Sequence, residues 1–360
     1  MSKGLTLLRP CDALRRRRPC PRRAFLGALL LAWAAIFCAS SPAAAGAKRA
    51  ALVLQWQPQA QFAGFYVAQA KGFYREAGVD LEIIPGGQDV VASRLLAQGR
   101  AQFATMFLAT GIERRAGSKG PQAVVHLAQL VQRSALMLVT RADSGIKEPR
   151  DLDGKTVSLW DNEFRLQPRA LFQRLGIHPR ILPQSSTLGL FLRGGADAAS
   201  AMWYNEYHTL LVSGLDAGDL RIFFYRDLDL NFPEDGIYTL EKTLRADPEL
   251  CRAVVSASLR GWRYAFEHPE EALDIVLGRM REAHVPVSRV HQRFMLARMK
   301  DIMLPAEKGD TPLGELKQAD YDRVAKALTG LGLLKQAPAF GEFSRGGQFL
   351  AGPDAGGVAQ

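Results

Sequence analysis

The sequence predicts an α/β protein of two lobes joined by two crossover strands. Three observations carry that expectation. About 315 residues follow an N-terminal leader, more than one hydrophobic core comfortably serves. Strand and helix signals alternate from residue 51 to residue 240, the pattern of α/β layers. The stretch Ala51–Gly87, ALVLQWQPQAQFAGFYVAQAKGFYREAGVDLEIIPGG, reads as a complete βαβ unit around which the rest is organised.

Within that unit Ala51–Leu54 is an apolar strand, followed by a polar turn holding Trp56 and Pro58. Phe62, Phe65, Tyr66, Gln69 and Phe73 then recur at helical intervals, and Gly78 stops the helix. Val79, Leu81 and Ile83 alternate with Asp80 and Glu82 as a half-buried strand does, closed by Pro85-Gly86-Gly87. Helix is expected over 90–98 and 108–116, and strand over 101–106, 124–130 and 134–141. The first crossover is placed at Asp143-Ser144-Gly145. The second lobe is expected as strand 155–160, helix 166–175, strand 180–183, helix 188–192, strand 196–203, helix 206–213 and strand 221–225. Strand 235–240 returns to the first lobe. Asp247-Pro248-Glu249 and His268-Pro269-Glu270-Glu271 are helix starts, with a residue to cap, Pro at the first helical position and acids facing the dipole. The expected boundaries are leader 1–45, first lobe 46–141, second lobe 142–230, return strand and C-terminal helices 231–345, and a Gly-rich disordered tail 346–360.

Residues 1–45 read as an export signal: Arg15–Arg18 and Arg22-Arg23, then an apolar run from Ala24 to Ala39, then Ala43-Ala44-Ala45 as a cleavage site. Arg22-Arg23-Ala24-Phe25-Leu26 fits twin-arginine export, and ordinary Sec export fits as well. An uncleaved anchor is disfavoured because the apolar run falls short of the ~20 residues of a spanning helix. The formal charge of the chain is +10; the leader carries eight Lys/Arg against Asp12, a net +7, so +3 remains. That gives no basic domain surface for nucleic acid. Cys11, Cys20 and Cys38 fall in the leader, leaving Cys251 alone and no intrachain disulfide after cleavage.

Nothing in the sequence has the spacing of a catalytic or metal site. There is no Walker loop, no Gly-x-Ser-x-Gly elbow, no His-Glu-x-x-His and no Cys-x-x-Cys. The six histidines lie in separate segments, and Glu206 and His208, two apart on a helix, point to different faces. Neither a metal nor a cofactor is expected.

A binding site is expected where ligands sit in open α/β sheets, beyond the carboxyl ends of the strands. That position holds Trp56 and Gln61 in the first turn, with Phe62 and Tyr66 entering the helix. It also holds Phe107 after a first-lobe strand, and Trp160 and Asn162 after the second lobe's first strand, facing Trp56. Tyr204, Glu206 and Asp235 complete the set. An indole and several amides beside a helix start suit a flat polar ring. Trp56 packed in the core, with solvated glutamines, is the competing reading.

The chain resembles a known family on particular residues. Gln55-Trp56-x-Pro58, Phe62-Ala63-Gly64-Phe65-Tyr66-Val67-Ala68, Lys71-Gly72-Phe73-Tyr74 and Gly78–Ile83 are similar to the start of periplasmic solute-binding proteins of the thiamine-pyrimidine family. Ser144–Lys147, Asp151-Leu152-x-Gly154-Lys155-x-Val157 and Tyr204-Asn205-Glu206-Tyr207 extend the resemblance over most of the chain after the leader. It implies the type II periplasmic-binding-protein fold and a periplasmic, monomeric binding component of an ABC importer. Its implied partners are a pyrimidine-like ligand and a permease in the inner membrane. It also implies that Glu206 accepts the amino group of the ring, against which stands a plain first-turn acid. The synthase branch of the family is marked by a cluster of cysteines and a histidine; no cysteine lies between Cys38 and Cys251, which favours the binding branch. A synthase-like enzyme and a ligand-sensing input module are the alternatives.

Overall fold

A computed structural model describes residues 46–87, 89–161, 163–306 and 312–350. The expected leader, Asn162 and the last ten residues of the expected tail lie outside these. Ten strands form two five-stranded sheets. β1 (Lys48–Val53), β2 (Val79–Ile84), β3 (Phe103–Phe107), β4 (Val124–Gln129) and β10 (Asp235–Leu240) make one, in the order β2-β1-β3-β10-β4. β5 (Leu136–Arg141), β6 (Thr156–Leu159), β7 (Arg180–Pro183), β8 (Ala198–Met202) and β9 (Leu220–Phe224) make the other, in the order β7-β6-β8-β5-β9.

The two sheets share one plan. Each has parallel strands plus one antiparallel strand in its interior, β10 in the first and β5 in the second. Burial follows from this placement: β3, β4, β8 and β10 are buried along their whole length, as strands covered on both faces must be, and their sequences are near-continuous apolar runs.

The helices in chain order are α1 (Ala63–Ala70), α2 (Phe73–Glu76), α3 (Ala92–Ala97), α4 (Leu108–Ala116), α5 (Leu166–Leu175), α6 (Gly189–Leu192) and α7 (Glu206–Val212). Then come α8 (Glu241–Ala246), α9 (Pro248–Glu267), α10 (Pro269–Glu282), α11 (Arg289–Met303) and α12 (Gln318–Gly330). α9 begins as the sequence predicts, with Pro248 in its first turn and Asp247 Oδ1 accepting from the Leu250 amide at 3.0 Å. Its apolar face, including Leu250, Val254, Ser258, Trp262 and Ala265, is buried. It lies on α1 at glycine contact: a Cβ on Gly64 would enter the Trp262 ring, and one on Gly261 would meet the Gly64 carbonyl. No helix among the described residues is long and apolar enough to cross a membrane.

Two expectations are corrected. The sequence places the segment ending at Arg141 in the first lobe, but β5 pairs with β8 and β9, so the chain passes between sheets before it, over residues 130–135. Alternation of apolar residues identifies a strand without saying which sheet receives it. The tail expected to be disordered from Gly346 is ordered as far as Leu350. A helical turn spans Gly347–Leu350, Phe343 and Phe349 are buried, and Ser344 bridges to His126 on β4, the end strand of its sheet. Two phenylalanines outweigh the glycines here, and the turn covers an edge strand.

Candidate ligand site at the junction of the lobes

The turn after β1 is fixed by backbone contacts. Leu54 donates to the Ile84 carbonyl at 3.0 Å, Gln55 N–H to Thr105 Oγ1 at 2.9 Å, and Gly86 N–H to the Trp56 carbonyl at 3.1 Å. Gly86 approaches so closely that a Cβ would overlap the Leu54 carbonyl and the Trp56 amide. Trp56 is thereby held half-buried against the first-lobe core. Phe62 and Tyr66 are buried more deeply, and Tyr66 lies within reach of the Arg279 charge on α10. Both belong to the buried hydrophobic core.

A polar network begins from the same turn. Gln55 Nε2 donates to Asp235 Oδ1 at 2.7 Å, Gln61 Nε2 to Asp235 Oδ2 at 2.9 Å, and Gln59 Nε2 to Gln61 Oε1 at 2.7 Å. Asp235, the first residue of β10, is thus a buried carboxylate met by two amides. Its neighbour Glu234 is also buried: Oε1 accepts from Ser134 Oγ at 2.9 Å and the Ala135 amide at 2.7 Å. These bonds tie the two crossover segments together, reinforced by Glu234 N–H on the Val131 carbonyl at 3.1 Å. Burial, and then the Asp235 charge, push the Glu234 carboxyl up to about 8. Tyr204, buried at the end of the second lobe's β8, is raised well above a normal phenol by burial and by Glu234, Asp235 and Glu206.

Aromatic rings meet between the lobes. Phe107, at the end of β3, packs edge-on to Phe164 with centroids 5.0 Å apart, and Phe164 in turn lies 5.2 Å from Trp160. The Trp160 indole N–H donates to the Ser185 carbonyl at 3.1 Å, which fixes the ring. Beside them is a cavity of about 20 Å³, lined by Phe107, Phe164, Gln167, Pro233 and Glu234 among others. That is room for about one water. None of its lining residues is a lysine or an arginine.

Glu206 turns both oxygens onto its own neighbourhood, accepting from the Met202 amide at 3.0 Å and Asn205 Nδ2 at 2.7 Å; burial raises its carboxyl. From there contacts run to α11. His291 Nε2 meets Asn205 Oδ1 at 2.8 Å, so that nitrogen carries the proton, and His208 Nδ1–H donates to His291 Nδ1 at 3.0 Å. Burial lowers both imidazoles, keeping them neutral.

The structure thus brings Phe107 and Trp160 into one aromatic cluster, and Gln61, Asp235 and Tyr204 to the acidic junction. Trp56 and Trp160 share no ring contact among the described residues; the first-lobe ring that reaches the Trp160 loop is Phe107, through Phe164. Sequence reasoning missed Phe164, Gln55 and Glu234. A signal existed for the last: two adjacent acids at the start of a strand that is otherwise mostly apolar. No group of three His, Cys, Asp or Glu side chains suited to a metal occurs among the described residues.

Residues 59–272 match the family described as "NMT1/THI5 like". The chain belongs to that family. It is 25% identical over 298 residues to the formylaminopyrimidine-binding protein of Halalkalibacterium halodurans, covering 79% of this chain and 86% of that one. It is 25% identical over 263 residues to the riboflavin-binding protein RibY of Chloroflexus aurantiacus, covering 69% and 73%. Among solved structures it is similar to the periplasmic aliphatic sulphonate binding protein SsuA of Escherichia coli, with a TM-score of 0.62 at 14% identity over 80% of this chain and 89% of that one. The NMT1/THI5 like chain therefore has the two-lobed periplasmic-binding-protein fold, as the sequence predicts.

Proposed function

We propose that this protein is the extracytoplasmic substrate-binding component of an ABC importer. It closes its two lobes on a small planar heterocycle, a thiamine-precursor pyrimidine or a similar ring, and delivers it unchanged to an inner-membrane permease. It works as a periplasmic monomer without metal or cofactor, exported by the Sec or the twin-arginine route. One observation carries the choice of ligand class: aromatic rings from both lobes converge beside buried acids, in a junction whose cavity has no cationic lining residue. Such walls favour an uncharged ring over an anion such as a sulfonate. The names of the two relatives support the same class.

The room at the junction holds a water and not a heterocycle, so ligand entry requires the lobes to part. Phe107–Phe164 on one side and His208–His291 on the other are the contacts that must open. The proposed binding residues are Phe107, Trp160, Phe164, Tyr204, Glu234 and Asp235, with Trp56 and Gln61 shaping the first-lobe wall. Glu206 holds Asn205 toward His291.

Calorimetry with formylaminopyrimidine, riboflavin and ethanesulfonate tests this. A heterocycle should bind at micromolar Kd or better, about −8 kcal/mol. Trp160→Ala should weaken it by roughly 2- to 10-fold, the worth of one aromatic contact. Tight binding of ethanesulfonate with no heat from either ring would refute the reading.

A further inference from the structure

Among the described residues, Glu234 is a buried carboxyl at the junction with one oxygen that has no hydrogen-bond partner. It is 5% exposed and lines the cavity; Oε1 accepts two hydrogen bonds, while Oε2 is buried with none. A buried polar atom left unpaired costs about 1–3 kcal/mol, so such an atom in a residue lining a cavity marks a place where something else completes it. The charged and titratable groups around it are few. Asp235 follows it, held by Gln55 and Gln61; Tyr204, in the turn just after β8, is close to both acids; and Arg226 donates to the Ser134 carbonyl at 3.0 Å. The remaining walls are Phe107, Ala109, Phe164, Leu166, Phe232 and Pro233, with one amide, Gln167, whose Nε2 donates to Ser134 Oγ at 2.9 Å.

We propose that Glu234 meets the ligand as a hydrogen-bond donor, a neutral carboxyl whose Oε2–H points to an acceptor on the ring edge, a pyrimidine nitrogen or a ring carbonyl. The inference rests on the reading of the junction as the ligand site and narrows it to rings bearing such an acceptor. Oε1, with both lone pairs engaged by Ser134 and Ala135, acts as the carbonyl oxygen; the proton therefore sits on Oε2, the oxygen left without a partner. Burial and then the adjacent Asp235 favour this neutral form and outweigh the Ala135, Ser134 and Leu136 donors, which favour the carboxylate. The arrangement also gives the crossovers a ligand-dependent tie, because the same side chain holds Ser134 and Ala135.

The test uses Glu234→Gln, whose amide keeps a donor at the Oε2 position and an acceptor for Ser134 and Ala135. Glu234→Ala would strand those two donors and is unsuitable. For formylaminopyrimidine, wild-type affinity should hold up to about pH 8 and then fall about tenfold per pH unit. Glu234→Gln should lose the alkaline fall, since an amide does not titrate. A wild-type profile flat through the alkaline range would overturn the proposal. So would a loss of tenfold or more in Glu234→Gln at neutral pH, which would mark a carboxylate acceptor. An infrared difference spectrum between ligand-free wild type and Glu234→Gln provides an arm independent of binding. A protonated carboxyl band at neutral pH supports the donor, and its absence overturns it. If the band is present but no heterocycle binds, the reading of the junction falls, and the ligand assignment made here falls with it.

Discussion

Gly261→Ala should destabilise the protein although it adds one methyl group to the middle of a 20-residue helix. In an unconstrained helix the change gains about 1 kcal/mol. Here the new Cβ would meet the backbone carbonyl of Gly64, lie 2.7 Å from Ala68 Cβ and 3.0 Å from its amide nitrogen. Two of these obstacles are backbone of α1 and cannot rotate away, so relief requires α1 and α9 to separate. Overpacking of a close-packed interior costs about 1–3 kcal/mol, and a backbone obstacle belongs at the upper end, leaving a net loss of about 1–2 kcal/mol. Gly278→Ala in α10 is the matched control, since nothing lies within 4 Å of its added Cβ; it should stabilise by about 0.5–1 kcal/mol. Urea unfolding followed by tryptophan fluorescence reads both, as opposite shifts of midpoint at constant slope. A midpoint for Gly261→Ala at or above wild type would show that the two helices are not in glycine-limited contact.

His126, fully buried between Tyr238 and Phe343, is lowered to about 3 by burial. The unfolded chain binds its proton first, so stability should fall by about 1.4 kcal/mol per pH unit as pH drops below about 6.5, and be recovered as pH rises. His126→Gln should flatten that limb in acid urea titrations; an unchanged slope would refute the assignment. Phe164→Ala removes the edge-on contact to Phe107 between the lobes. The contact is worth about 0.5–1.5 kcal/mol, so the parted form should gain roughly 2- to 12-fold in population. Small-angle scattering of the ligand-free protein should show a larger radius of gyration, and an unchanged radius would count against Phe164 as a closing contact.

Much of the fold was legible because secondary structure answers to local pattern. The helices at Leu108–Ala116 and Leu166–Leu175 and the strands at Arg180–Pro183 and Asp235–Leu240 match their predicted bounds. The lodging of β5 in the second sheet was not legible, because its apolar residues fit either core; only the pairing partners decide. The same limit governs the site. Trp160, Phe107 and Asp235 could be named from strand ends, but Phe164 sits in a short 3-10 turn without periodicity. Glu234 differs from any acid ahead of a strand only once Ser134 and Ala135, a hundred residues earlier, arrive beside it.

The position of β10 sets an order of assembly. The second sheet is complete once Phe224 has been synthesised, since β5 to β9 are contiguous in the chain. The first sheet keeps a gap between β3 and β4 until residues 235–240 emerge to fill it. A nascent chain therefore carries a finished inner module inside an unfinished outer one, and any product ending between residues 224 and 235 should expose two unzipped strand edges.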